Sequence, residues 1–308
     1  MKKTILVVSF FLFINKIAAQ QDPQYTQYMY NMNIVNPAYA TADESVLNLG
    51  SLYRTQWVGA VGAPKTLTVF AHMPVNDKVE VGFSMISDDI GDGAKKENNF
   101  YADFAYVLSF NNNHKLSLGL KAGVTSLQTN FNGFRFESTS PDFAFEDVSI
   151  LKPNVGVGGY YFTDKYYIGL STPNIFNSKH IEQKSGISNY GSEKLHVFLT
   201  GGYVFTLSEL FKFKPALMTK FVKGSPANLD VSANVLYNEK FELGLSYRVG
   251  DAVSGLMNVK VLPNMRVGYA YDYTISNLGQ FNSGTHEIFL LFDLDLLSKG
   301  YDKSPRFF

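Results

Sequence analysis

The sequence predicts an all-β protein: a transmembrane antiparallel β-barrel of about fourteen strands, preceded by a polar, aromatic N-terminal segment. Three observations carry this. Apolar residues recur at every second position along most of the chain, alternating with Gly, Ser, Asn and scattered charges. The alternating runs are roughly ten residues long, the length a tilted strand needs to cross a bilayer. And 19 Tyr, 26 Phe and 25 Gly stand beside only 18% charged residues in a chain of 308, an unusual balance for a soluble enzyme.

The first element is a leader. Lys2 and Lys3 precede an apolar run from Ile5 to Ile14, broken only by Ser9, and Ala18-Ala19-Gln20 follows. A basic start, a short apolar middle and a small-residue exit make a secretory signal peptide over residues 1–20, with cleavage expected after Ala19 or Gln20. The run is about half of what a membrane helix requires. The chain holds 0 Cys, so neither a disulfide framework, a thiolate metal site nor an N-terminal lipidated cysteine is available. Without Lys2, Lys3 and Lys16, 24 basic residues face 27 acidic ones, a balance that gives no reason to expect nucleic acid as a partner.

The second element is QDPQYTQYMYNMNIVNPAYAT, residues 21–41, within a segment read as 21–45. It is too polar to span a membrane and too aromatic for a loose linker. Facing lipid, its backbone would go unpaired. It is expected in the lumen as a plug, or across the periplasmic mouth as a docking element; the plainer alternative is an ordered lead-in to the first strand. Tyr offers rigid contact area and Asn adaptable hydrogen bonding. Tyr25, Tyr28, Tyr30, Asn31, Asn36 and Pro37 are therefore the candidate plug or partner-binding residues.

Strands are expected near 46–56, 65–74, 79–87, 99–109, 115–127, 153–163, 165–172, 194–207, 211–222, 227–238, 240–249, 255–262, 265–274 and 285–295, so that 46–308 forms the barrel with a short C-terminal tail. Their even count suits a single-chain outer-membrane barrel. No helical stretch is convincing after the leader. Turn residues punctuate the runs at Pro74–Asp77, Asn111–Asn113, Thr163–Lys165, Asn238-Glu239 and Pro263-Asn264. These links are short, whereas 88–98, 128–152, 173–193 and 275–284 are longer; short turns on the periplasmic rim and long loops on the other are the expected barrel pattern. Aromatic clusters at Tyr160–Phe162, Tyr166-Tyr167 and Tyr269–Tyr273 are expected to form an interfacial girdle.

Chemistry-bearing motifs are scarce. His72, His114, His180, His196 and His286 show no metal-ligand spacing. Asp88-Asp89 and Gly91-Asp92-Gly93 resemble a calcium loop but lack its full ligand pattern. Gly156, Gly158 and Gly159 lie inside a strand, not between strand and helix, so they are read as letting bulky neighbours or a plug approach the wall. Ser171, Ser246 and Ser254 sit in no nucleophile-elbow pattern. No enzyme activity and no cofactor are expected. Arg54 alternates to the polar face with Gln56, as a partner for an inward acid such as Asp230 or Asp272, or as a solvated rim charge. With Trp57, the single tryptophan, and Arg248, these are the candidate lumen or rim residues.

Several stretches together resemble the PorP/SprF family of type IX secretion system membrane proteins: QDPQYTQYMYNMNIVNPAYA at the start, LYRTQWVGAVGAPKTLTVFAHMPV at 52–75, KLSLGLKAGV at 115–124 and YYFTDKYYIGLSTPNIF at 160–176. KPALMTKFVKGSPANLDVSANVLYNEKFELGLSYRVGDAVSGLMNVKV at 214–261, RVGYAYDYTISNLGQFNSGTHEIFL at 266–290 and the tail SPRFF continue the match. The resemblance implies a multi-pass outer-membrane barrel of Bacteroidota-type bacteria that works with type IX translocon components. It further implies a secreted surface adhesin as client, recognised by its C-terminal targeting domain and then exported or anchored, in gliding or adhesion. Residues alone leave a second function open, an outer-membrane diffusion channel for a small solute.

Overall fold

The computed structural model describes residues 23–41, 46–110, 113–131, 147–176 and 195–296. The leader at 1–20, the loop cores at 132–146 and 177–194, and the tail SPRFF lie outside the described residues. Fifteen strands make one antiparallel sheet: β1 Val46–Thr55, β2 Lys65–Asn76, β3 Val79–Ile90, β4 Lys95–Ser109, β5 Lys115–Thr129, β6 Ser149–Phe162, β7 Tyr166–Thr172, β8 His196–Tyr203, β9 Phe205–Thr206, β10 Phe211–Val222, β11 Asn228–Tyr237, β12 Phe241–Arg248, β13 Ala252–Leu262, β14 Met265–Thr274 and β15 Thr285–Asp295. β8 and β9 are one stave interrupted at Val204, since both pair with β10. Each stave bonds to its sequence neighbours, and β15 pairs with β1 from Val46↔Asp295 to Thr55↔His286. The sheet is therefore a closed barrel of fourteen staves, which leaves no unpaired strand edge to lipid.

Alternation decides which way each side chain points. On β12, Leu243, Leu245 and Tyr247 are exposed while Glu242, Ser246 and Arg248 are buried. The same holds around the ring: Phe83, Phe104, Leu118, Leu120, Ile168, Leu170, Val231 and Ile288 face out, and Thr68, Ser84, Lys121, Ser171, Asn234 and Glu287 face in. This inverts a soluble sandwich, as expected where lipid is the outer solvent and polar groups find partners only inside.

β1, β3, β5 and every second stave thereafter run from one rim to the other. The near rim carries tight links. At Asn238-Glu239 both residues have positive φ, 50° and 55°, and Lys240 N–H donates to Tyr237 O at 3.0 Å, the primed turn that suits hairpin twist. The far rim is uneven. The expected long loop at 88–98 is a tight turn instead: β3 and β4 extend to Ile90 and from Lys95, and Ala94 N–H donates to Gly91 O. Short-range apolar alternation stops near Ile86, but the pairing continues through polar residues that rise above the apolar band, such as Asp89↔Lys96. β4 and β5 thus reach 15 residues each, against 8 in β12.

The girdle needs correction. Tyr160, Phe162 and Tyr167 are buried and point into the lumen, where Tyr160 and Tyr167 stack at 5.4 Å. Their outward neighbours are the ones placed for an interface: Tyr166 stacks on Tyr203 at 6.1 Å, and Phe211 meets Tyr237 at 4.9 Å, all near the tight-turn rim. Helical structure is also present where none was expected. Tyr28–Tyr30 is a 3-10 turn, Met32–Val35 a single α-turn, and Asn277–Phe281 another 3-10 turn. Elements of one turn show no repeat for periodicity to detect.

Candidate functional site

Residues 23–41 fill the lumen. Nearly all are buried, and they touch inward-facing groups all around the ring. The segment shares no ladder with the sheet; side chains and single backbone groups hold it.

Its first fastening lies toward the far rim, where β1 and β14 end and β15 begins. Arg54 on β1 donates through Nη2 to Asp272 Oδ2 at 3.0 Å and through Nη1 to Glu287 Oε2 at 2.9 Å. Thr26 and Gln27 complete the cluster. Their consecutive backbone N–H groups donate to the two oxygens of Glu287, at 3.0 and 2.8 Å. The Thr26 hydroxyl donates to Asp272 at 2.7 Å and accepts from Arg54 Nη1 at 3.0 Å. Arg54, Asp272 and Glu287 are each 2% exposed or less. Two carboxylates around one guanidinium need further donors, and the segment supplies three.

The second fastening lies near the tight-turn rim. Tyr30 OH donates to Glu242 Oε1 at 2.6 Å and accepts from Asn258 Nδ2 at 2.5 Å, while its ring stacks on Phe289 at 4.5 Å. Glu242 also receives Lys214 Nζ at 2.6 Å and Asn234 Nδ2 at 2.7 Å. Burial, then the facing Glu242 charge, holds the Tyr30 phenol well above the ordinary tyrosine range, so it stays a donor. Tyr28, fully buried beside Tyr167 and Ser232, is raised likewise, chiefly by burial. Tyr25 shares a hydrogen bond with Thr68 at 2.8 Å.

The third fastening follows from helix-end chemistry. An α-turn leaves its last carbonyls unpaired, and a cation suits that end. Lys121 Nζ donates to Asn33 O at 3.2 Å and Ile34 O at 3.3 Å, and Ser171 Oγ donates to Val35 O at 2.8 Å. Asn36 then turns the chain: its Oδ1 accepts from Ala38 N–H at 2.9 Å and its Nδ2 donates to Gly159 O at 3.1 Å. The wall is cut away here. A Cβ on Gly119 would lie 2.3 Å from Ala38 N, and one on Gly158 2.1 Å from Asn36 Oδ1. Pro37 sits between them. Gly156 makes room for the Pro173 carbonyl, and Gly159 has nothing within 4 Å of where its Cβ would be.

Of the remaining sequence-nominated residues, Asp230 does not meet Arg54; it accepts from Arg248 Nε at 2.7 Å. Asn31 is fully buried with both amide atoms unpartnered among the described residues, as are those of Asn33. Trp57 lies on the far rim with φ 49°, its backbone N–H donating to Thr285 Oγ1 at 3.1 Å, away from the segment. The calcium-like loop is held by its own contacts: Asp88 accepts from Thr66, Asp89 from Gly93 N–H, and Asp92 pairs with Lys65. Among the described residues no acidic or histidine cluster is arranged for a metal ion. Sequence reasoning missed Thr26, Lys121, Glu242 and Glu287. For Lys121, Glu242 and Glu287 the available signal was a charge on the inward phase of a strand; Thr26 carried none.

Comparison with known proteins agrees with this architecture. The family model of the type IX secretion system membrane protein PorP/SprF matches residues 17–292. No curated protein matches. Among solved structures, a deletion mutant of the monoaromatic hydrocarbon channel TodX aligns with a TM-score of 0.53 at 11% identity, covering 86% of this chain and 94% of that one. The P. putida toluene transporter TodX aligns at 0.50 with the same identity and coverage. At such identity the likeness concerns the fold alone.

Proposed function

The chain belongs to the PorP/SprF family of type IX secretion system membrane proteins, and from that premise we propose that this outer-membrane barrel serves one client, a surface adhesin whose C-terminal targeting domain it helps to export or anchor. The role is non-enzymatic and is exercised together with translocon components, in adhesion or gliding. One structural observation supports the reading above all. The chain's own residues 23–41 occupy the lumen, which weighs against an open diffusion channel and leaves the rims to meet partners. The leader before the segment is read as removed after Ala19 or Gln20, which N-terminal sequencing of the purified protein checks.

Mild-detergent capture of tagged barrel from cells displaying adhesins tests the proposal. One large surface protein should co-purify, and a version trimmed of its C-terminal domain should not. A barrel recovered alone from such cells overturns the reading.

A further inference from the structure

We propose a further activity: when residues 23–41 withdraw, the barrel opens an aqueous pathway for ions and small hydrophilic solutes, and the segment is its tethered stopper. Four observations lead there, and none depends on the identity of a client.

First, the stopper carries no charge, and the buried ion pairs of the barrel form between residues of the wall itself. The buried charges of the wall are Arg54, Lys121, Lys214, Lys220 and Arg248 against Glu80, Asp103, Asp230, Glu242, Asp272 and Glu287, five cations to six acids. Arg54 pairs with Asp272 and Glu287, Lys121 with Asp103, Lys214 with Glu242 and Arg248 with Asp230. Withdrawal strips no ion of its counter-ion. Water then replaces the hydrogen bonds that the segment had supplied.

Second, Gln27 Oε1 and both amide atoms of Asn31 and of Asn33 are buried with no protein partner among the described residues. Water reaching them on withdrawal supplies hydrogen bonds that the wall does not. Third, the segment contributes no strand to the sheet, so leaving breaks no ladder and does not open the ring.

Fourth, the space released is large. Fourteen staves spaced ~4.8 Å apart and tilted ~40° enclose a bore about 28 Å across between backbones. With the segment in place, a cavity of about 60 Å³ remains beside Tyr25, lined by Ile86, Tyr101, Phe198 and Met218 together with the polar Glu97, Asn99, Lys220 and Asp230. That is room for a few waters. With the segment out, the lining carries both signs, so the pathway discriminates weakly between cations and anions.

The absence of cysteine gives a clean test. The full-length Val35→Cys, Ser171→Cys protein is purified and placed in planar bilayers, in about 2 M urea to loosen polar docking. The two thiols flank the Ser171–Val35 contact and accept a short, reducible thiol-specific bridge. The reduced protein should conduct, bridging should return the current to baseline, and reductant should restore it. In a salt gradient the reversal potential should lie near zero. Gly119→Val supplies a second measurement without cysteines: its side chain intrudes on Ala38, and its conductance should exceed that of the unsubstituted protein. Equal current with and without the bridge, together with a silent Gly119→Val barrel that folds, overturns the proposal and makes the segment a fixed core. The assay holds no client, so its failure leaves the secretion reading standing, and failed client capture leaves the conductance result standing.

Discussion

At the scale of single residues, the Arg54 cluster separates what a charge does alone from what it does in company. Replacing Arg54 with Met leaves Asp272 and Glu287 buried side by side without their shared cation. Breaking a buried pair in this way costs about 3–5 kcal/mol. The expected result is a barrel that loses its heat-resistant gel mobility at markedly lower temperature; Asp272→Asn, which keeps Arg54 with Glu287, should cost less. Tyr30→Phe keeps the ring on Phe289 but removes the hydroxyl shared by Glu242 and Asn258, a loss of about 1–3 kcal/mol. Protease cleavage within residues 23–41 should rise while the barrel stays folded. Gly255→Ala faces open space and should change neither reading. Sequence reasoning reached Arg54 and Asp272 through their strand phase but assigned Asp230 as an equal candidate. Register decides between them: Asp230 stands opposite Arg248 on β12, whereas Arg54 stands opposite Glu287 on β15. Such pairings join residues far apart in the chain, and alternation along one strand does not contain them.

At the scale of elements, the staves were readable and the segment's path was not. All fourteen expected runs are strands, because an outward residue meets lipid and an inward one meets polar groups, and that contrast prints a period of two. β3 and β4 overran their expected ends where both faces become polar, as at Asn98 and Asn99, and the contrast fades. The α-turn at Met32–Val35 left no mark, since Lys121 and Ser171 stabilise it from other strands. Tyr160 and Phe162 were misread as girdle because position near a strand end says nothing about which side a ring faces. The outward phase also makes a prediction. Leu245, 68% exposed in the middle of β12, faces lipid. Leu245→Arg should cost about 2–4 kcal/mol in lipid, read as a lowered denaturation midpoint of refolded barrel in vesicles. The same change at Val249, beyond the strand, should be nearly silent.

At the scale of the molecule, the first fastening of the segment coincides with the seam. β1 and β15 are the two ends of the sheet, and their ladder is what turns a ribbon into a ring. Thr26 and Gln27 bind Glu287 across separations of 261 and 260 residues, and Arg54 reaches it across 233. Thr26 has its full set of partners, Asp272 and Glu287 on one side and Arg54 on the other, only once the last strand has found the first. The N-terminal residues are the earliest made, yet their seat at the seam needs the last strand. Docking therefore reports on assembly: a half-closed sheet offers Thr26 either Arg54 or Glu287, and only the finished ring offers both. Protection of residues 23–41 from protease should appear together with the closed, compact species in a refolding time course, never ahead of it. The segment that stops the bore is thereby also a proofreader of closure.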